Sequence, residues 1–340
     1  MAIRLHRRAI NRAQAFISLG VTYGIIGFFW QWVEVGIVTF EGVGAGLAVG
    51  IALALLEQSH VAGFTRSMAF SAAVLVKSVV SLGVIAIPLM LVGLIGGLAQ
   101  GSDVSDSFEW VFSAEFLVKL ALIYLIHLGV TFFRHLNKLL GPGTLMRYVI
   151  GKYHRPRVEK RVFMFLDLKS STTLAETLGG EKYYAFLNTF FRDMSDPILD
   201  RAAEIYQYVG DEVVLTWPVE AGLRDANCVR LFNDILAQVN RRREYYKQEF
   251  GHVPEFKAGV HFGDVITAEI GDIKKEIAYS GDVLNTTARI QAKCNELGQL
   301  LIASEELASA LILPNFITPR PLGRIALRGK AEPTALVGLV

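Results

Sequence analysis

Two hydrophobic patterns divide the chain. Up to residue 134, apolar residues run in long, nearly uncharged blocks at 16–33, 43–56, 68–98 and 110–133. A helix that crosses a bilayer needs about 20 mostly apolar residues, so the blocks predict four transmembrane helices, the short Gly-rich second being the weakest match. Beyond residue 160, short apolar runs alternate with amphipathic ones. Residues 161–167 form a continuous apolar run, as a buried strand does. Residues 171–199 place Leu174, Leu178, Leu187, Phe190, Met194 and Ile198 at helical spacing. Residues 204–217 read as a hairpin folded at Gly210-Asp211. A helix over 223–250, strands over 256–270 and 275–279, a helix over 283–297, a strand at 300–303, a short helix and a closing hairpin through 322–330 follow. Strand–helix–hairpin–helix–strand is a ferredoxin-like α+β plan. The expected organisation is a four-helix transmembrane domain (1–134), a linker or coupling element (135–160) and an α+β domain (161–340).

The loops orient the first domain. Arg4, His6, Arg7, Arg8 and Arg12 precede the first block, His60 and Arg66 follow the second, and Arg134, His135 and Lys138 follow the fourth. The opposite side carries Glu34, Glu41, Asp103, Asp106 and Glu109. Basic loops face the cytoplasm, so both termini are expected inside. The basic start followed by an apolar run has the look of a signal peptide, but the run is too long and further spans follow. Lys77, Glu115, Lys119 and His127 fall inside apolar blocks. Glu115 and Lys119 are spaced to pair on one helix face, and a lone His is more often a hydrogen-bonded packing residue than a sensor. The run Gly42-Val-Gly-Ala-Gly-Leu-Ala-Val-Gly50 suits close helix packing. Within the linker, Gly141-Pro-Gly143 breaks the fourth helix, and residues 145–153 form a short amphipathic piece that is either a spacer or a coupling element.

Composition sharpens this picture in two places. The hydrophobic fraction of 52% over 340 residues is high for a soluble protein, and the excess lies in the first domain. A net charge of +2 with no basic stripe argues against a nucleic-acid partner. The two cysteines, Cys228 and Cys294, have no metal spacing and suit a reducing compartment.

The candidate chemistry centres on two aspartates. Asp167 ends the first strand and Asp211 sits in the hairpin turn. If the strands pair, the two carboxylates meet on one sheet edge, as hard oxygen ligands suited to Mg²⁺ or Mn²⁺ in a phosphoryl-transfer site. Alone, the two segments fit equally well a turn Asp and a helix N-cap.

Four motifs in order tip the balance. Phe165-Leu-Asp167-Leu-Lys-Ser-Ser-Thr172, Val209-Gly-Asp211-Glu212, Ser280-Gly-Asp-Val-Leu-Asn285-Thr-Thr-Ala-Arg289 and Leu327-Arg-Gly-Lys330 resemble the two metal segments, the transition-state segment and the closing hairpin of class III nucleotidyl cyclases. The resemblance runs from about residue 157 to 340. It implies that Asp167, the backbone of Leu168 and Asp211 hold two divalent ions. It further implies that Asn285 and Arg289 act on the ribose and the α-phosphoryl group, that Lys330 and Arg328 reach phosphates, and that a homodimer forms each site from both chains. The family's two base-reading positions are Gln207 and Ala278 here. Gln207 has a donor and an acceptor and suits either purine; Ala278 offers backbone and space. Because adenylate cyclases dominate the bacterial-type members that join this domain to membrane spans, ATP is the favoured substrate and cyclic AMP the product. GTP and pyrimidine triphosphates are the alternatives. The expected place is a bacterial inner membrane, with the N-terminus and the cyclase domain cytoplasmic. The rival reading is a silent cyclase-like nucleotide-binding or dimerisation module of a membrane receptor. A transporter with a regulatory tail is a third reading, for which four short-looped spans are few.

Overall fold

The computed structural model describes residues 16–29, 31–32, 40–58, 70–99, 101, 103–141, 143–330 and 332–339. The basic start (Arg4, His6, Arg7, Arg8, Arg12), Glu34, His60 and Arg66 lie outside the described residues, as do the side chains of Glu41, Asp106, His135 and Lys138. The chain divides into two compact units, Met1–Leu136 and Asn137–Val340.

The first unit contains α1 (Phe16–Phe29), α2 (Phe40–Gln58), α3 (Phe70–Ala99), α4 (Val104–Val111) and α5 (Ala114–Leu140). The glycine run has a direct structural use. Gly46 packs against the Tyr23 carbonyl and Gly27 against that of Gly42, and a Cβ at Gly50 would stand 2.6 Å from the Leu19 carbonyl oxygen. Glycine at these positions lets the α1 and α2 backbones approach. Two described helices are long and apolar enough to cross a membrane, over Leu75–Ile95 and Ala114–Arg134. The expected first and second spans are apolar helices over Phe16–Phe29 and Gly42–Leu56, shorter than the length a span needs. Lys119 and Glu115 pair at 2.6 Å across one turn. His127 Nδ1 lies 2.6 Å from the Tyr23 hydroxyl, and its Nε2 lies 3.3 Å from Thr131 Oγ1. His127 is therefore a hydrogen-bonded packing residue. Lys77 is half-buried on α3.

The second unit opens with α6 (Thr144–Val149), after the break at Gly141 and Gly143. It continues through β1 (Arg157–Leu168), α7 (Ser171–Leu178), α8 (Gly180–Asp200), β2 (Glu204–Val209), β3 (Glu212–Pro218), α9 (Val219–Leu223), α10 (Asn227–Arg241) and α11 (Arg243–Phe250). Then come β4 (Phe256–Ile270), β5 (Glu276–Ser280), α12 (Asp282–Glu296), β6 (Leu301–Ser304), α13 (Glu305–Ala310), β7 (Pro319–Ile325) and β8 (Thr334–Leu339). The strands form one eight-stranded sheet in the order β2-β3-β1-β4-β6-β8-β7, with β5 on β4. All pairs are antiparallel except β4 with β6.

β1 sits at the centre and is buried on both faces, which is why it reads as an unbroken apolar run. Val162, Met164 and Leu166 face a core with Phe186, Phe190 and Met194 of α8 and Leu231, Phe232 and Ile235 of α10. Phe163 and Phe165 face the other way, towards Tyr279 of β5 and Val283 of α12. β7 carries Pro319 and Pro321 and lies at the sheet edge, where a missing N–H donor costs no ladder bond.

Two expectations need correction. The helix expected over 171–199 is two helices, separated at Gly179, whose φ of 76° and ψ of 158° end α7. The helix expected over 223–250 is broken at 224–226, where Asp225 and Ala226 have left-handed backbones, and again at Arg242. The closing hairpin is β7 and β8, with residues 327–330 in its loop and a turn at Gly329 (φ 72°).

Candidate active site

The sheet register brings the carboxylates together. Asp167 pairs with Glu212 across to β3 and with Lys257 across to β4, so all three side chains share one face. Gly210, with φ of 64°, closes the β2–β3 turn and places Asp211 beside them. The Asp167 and Asp211 carboxyl groups come within hydrogen-bonding reach. Burial and the charge of Asp211 push the Asp167 pKa up, while Lys257 and Gln291 work against that rise. Gln291 Nε2 donates to Asp167 Oδ2 at 2.9 Å, and Lys257 Nζ lies 3.4 Å from the same oxygen. Burial, with Asp167 and Asp211 nearby, raises Glu212 to about 7. The Tyr183 hydroxyl also faces this group, its pKa raised by burial and by the charge of Asp211.

Asp211 Oδ2 is buried and has no hydrogen-bond partner. A buried acceptor left unpaired beside a second carboxylate is costly in an uncharged surrounding. A divalent cation removes both costs at once, so these residues fit one. Among the described residues, no group of three or more His, Cys, Asp or Glu side chains is placed to hold a metal ion. The protein side chains therefore offer a carboxylate pair, and other ligand positions fall to backbone, phosphate or water oxygens. Leu168 keeps its side chain in the core, and its backbone pairs with Phe256 at the end of β1.

The residues expected to act on the transition state form a second group. α12 lies tightly on β4: a Cβ at Gly263 would meet Val283 Cγ2 at 2.7 Å, and one at Gly259 would meet the Thr287 carbonyl oxygen at 2.8 Å. On the helix, Asn285 is exposed and Arg289 half-buried. The Arg289 guanidinium reaches the β7–β8 loop, where a Cβ at Gly329 would stand 3.3 Å from it. Lys330 Nζ pairs with Asp282 Oδ2 at 2.5 Å, and Thr286 Oγ1 donates to the same oxygen at 3.1 Å. Lys330 and Thr286 hold the Asp282 pKa below the usual range against the opposing pull of burial. Arg328 is exposed. Among the described residues, no hydrogen bond or ion pair joins Asp167 or Asp211 to Asn285, Arg289 or Lys330. One chain thus presents two separate groups, a carboxylate pair and a basic cluster.

Residues 154–337 match the model of the adenylate and guanylate cyclase catalytic domain family. The chain belongs to this cyclase family. It is 36% identical over 210 residues to "Adenylate cyclase 2" of Rhizobium meliloti (strain 1021), a match covering 62% of this chain and 58% of that protein. The chain thus spans less than two thirds of that relative's length. Two solved structures of a bacterial light-regulated adenylyl cyclase share its fold. One has a TM-score of 0.54 at 19% identity, covering 65% of this chain and 64% of the other. The second has a TM-score of 0.55 at 18% identity, covering 67% and 65%.

In this cyclase domain, Gln207 is exposed on β2 and Ala278 half-buried on β5. The two strands are drawn together by the Tyr206 and Tyr279 rings, 5.0 Å apart. Lys274 and Lys275 lie in an exposed turn, where Lys274 pairs with Glu276. Sequence reasoning missed Lys257, Tyr183 and Gln291, and gave Glu212 no role although it lies in the second metal segment. Only Gln291 left a signal: it falls on the apolar stripe of α12 with Val283, Ile290 and Cys294, and all four are buried. A polar residue in a buried stripe needs a partner.

Proposed function

We propose that the chain is a membrane-anchored adenylate cyclase that converts ATP to 3′,5′-cyclic AMP and pyrophosphate at sites shared between two copies of itself. The observation that carries this is the buried, unpartnered Asp211 Oδ2 beside Asp167. Asp167, the Leu168 backbone and Asp211 would hold two divalent cations, Mg²⁺ or Mn²⁺. Such ions, when bound, neutralise triphosphate charge and acidify the ribose 3′-hydroxyl. The 3′-oxygen attacks the α-phosphorus, the bond to the bridging oxygen breaks, and pyrophosphate leaves. Arg289 would stabilise the negative charge on the α-phosphoryl oxygens in the transition state. Asn285 would hold the ribose in line, and Lys330 and Arg328 would bind the phosphate chain. Separation of the carboxylate pair from Arg289 within one chain supports a homodimer with two equivalent sites, each taking one group from each copy.

The membrane reading rests on the first unit. Leu75–Ile95 and Ala114–Arg134 are long and apolar enough to span, and they bury little of their surface within the unit. We assign four spans within 1–134, a linker over 135–160 and the cyclase domain over 161–340. The basic loops support a cytoplasmic N-terminus and cyclase domain, at a bacterial inner membrane. GTP is the second substrate reading, favoured by the donor and acceptor of the exposed Gln207.

The deciding experiment gives the purified full-length chain ATP, GTP, CTP or UTP with Mn²⁺ and identifies products by mass spectrometry. Cyclic AMP as the dominant product is expected, with none from Asp211→Ala. Dominant cyclic GMP would reassign the base. No product from folded, dimeric protein would leave a silent nucleotide-binding module.

A further inference from the structure

Asp167 is steadied by a side chain that none of the four sequence motifs contains. Gln291 lies two residues beyond Arg289 but on the sheet side of α12, and it is buried. Its amide donates to Asp167 Oδ2 at 2.9 Å, beside the Lys257 ammonium at 3.4 Å. Lys257 contributes charge through a flexible stem. Gln291 contributes direction, because its helix has no room to shift towards the sheet. At Gly259 of β4, even a methyl group would meet the Gln291 backbone nitrogen, and it would stand 2.8 Å from the Gln291 Cα. An amide held on a fixed backbone sets the plane of the carboxylate it binds, and partners of this kind tune metal affinity.

We propose that Gln291 is a positioning residue for the metal carboxylate Asp167, so that each α12 takes part in both sites of the dimer. Through Gln291 the helix orients Asp167 of its own chain; through Asn285 and Arg289 it serves the site built on the other chain's aspartates. This rests on the reading of Asp167 as a metal ligand and of the sites as shared.

The first measurement is Mn²⁺ binding to the full-length chain without nucleotide, followed by electron paramagnetic resonance. Gln291→Met keeps length and removes the donor; its Kd for Mn²⁺ should rise about tenfold. Should that variant not fold, Gln291→Asn keeps a polar end that stops one carbon short, and the same direction is expected. Wild-type Mn²⁺ affinity in either folded variant overturns the proposal. The second measurement uses mixed dimers of Asp211→Ala and Arg289→Ala chains, which hold one intact site. Gln291→Met added to the Arg289→Ala chain, whose Asp167 builds that site, should cut activity at limiting Mn²⁺ about tenfold. Added to the Asp211→Ala chain, it should leave the mixed dimer's rate in place. Loss of activity with Gln291→Met on the Asp211→Ala chain would mean a general loosening of α12 acting through Arg289, and would overturn the positioning role. If the parental mixed dimers make no product, the shared-site reading fails, while the Mn²⁺ affinities still decide whether Gln291 positions Asp167.

Discussion

Asp211 carries an electrostatic cost that the proposed metal role explains. Its carboxylate stands against Asp167, with one oxygen buried and unpaired. Removing the charge should relieve the metal-free fold even as it ends catalysis. Asp211→Asn is expected to make no cyclic product, yet to melt higher than wild type without metal, by about 1 kcal/mol after allowance for solvent screening. Adding Mn²⁺ should raise the melting temperature of wild type and not that of the variant. A variant that melts lower than wild type in EDTA would mean that the carboxylate pair is not repulsive. At this scale the sequence was informative where a motif is local: Asp167 and Asp211 were legible because a strand end and a tight turn announce themselves. Lys257 was not, because it joins Asp167 only through strand register, which no local pattern encodes.

Among elements, α6 holds more than its six residues suggest. Arg147 donates to Glu204 through Nη1 at 3.1 Å and Nη2 at 2.5 Å, and Arg161 Nη2 donates to the same carboxylate at 2.7 Å. The Tyr148 hydroxyl donates to the Lys275 carbonyl at 3.2 Å. Glu204 begins β2 and Lys275 immediately precedes β5, so one short helix holds both strands that carry Gln207 and Ala278. Burial pulls the Glu204 pKa up, but its bonds and charges with Arg147 and Arg161 outweigh that and leave it below the ordinary 4.5. A depressed carboxyl adds stability that is full above the unfolded pKa and lost as pH falls through the folded one. Relative to an unfolded chain at the same pH, the α6 amides should therefore be well protected at pH 7 and exchange fast once pH drops below about 4.5. Arg147→Met should give the fast exchange already at pH 7, at a cost of about 1–2 kcal/mol, since it leaves Glu204 half-paired. Wild-type protection of α6 in the variant at pH 7 would detach α6 from Glu204. Residues 145–153 were legible as a short amphipathic piece, but Glu204 lies 57 residues beyond Arg147 and nothing local joins them. The helix break at Gly179 did leave a signal, because on one continuous helix Leu174 and Leu178 would face about half a turn away from Leu187, Phe190, Met194 and Ile198; the break at 224–226 shows in the backbone angles of Asp225 and Ala226.

For the whole molecule, the decisive observation is that, among the described residues, no hydrogen bond or ion pair joins the carboxylate pair to the basic cluster within one chain. The family resemblance implied such sharing; the hydropathy pattern separated a membrane half from a soluble half, but it said nothing of what the first half does for the second. The close α1–α2 crossing at Gly27, Gly46 and Gly50 gives that half an ordered helix pair. The proposed anchoring would confine two copies to one plane and raise the effective concentration at which cyclase domains meet. The full-length chain in lipid nanodiscs loaded with two copies should keep its specific activity constant over a hundredfold dilution. A chain beginning at residue 137 should lose activity on the same dilution and regain it on reconcentration, because its dimer is then held by the cyclase domains alone. Equal dilution curves would mean that the cyclase interface suffices by itself and that the membrane half contributes no association. A truncated chain that remains inactive at high concentration, although folded and dimeric, would instead assign the membrane half a part in setting the geometry of the site.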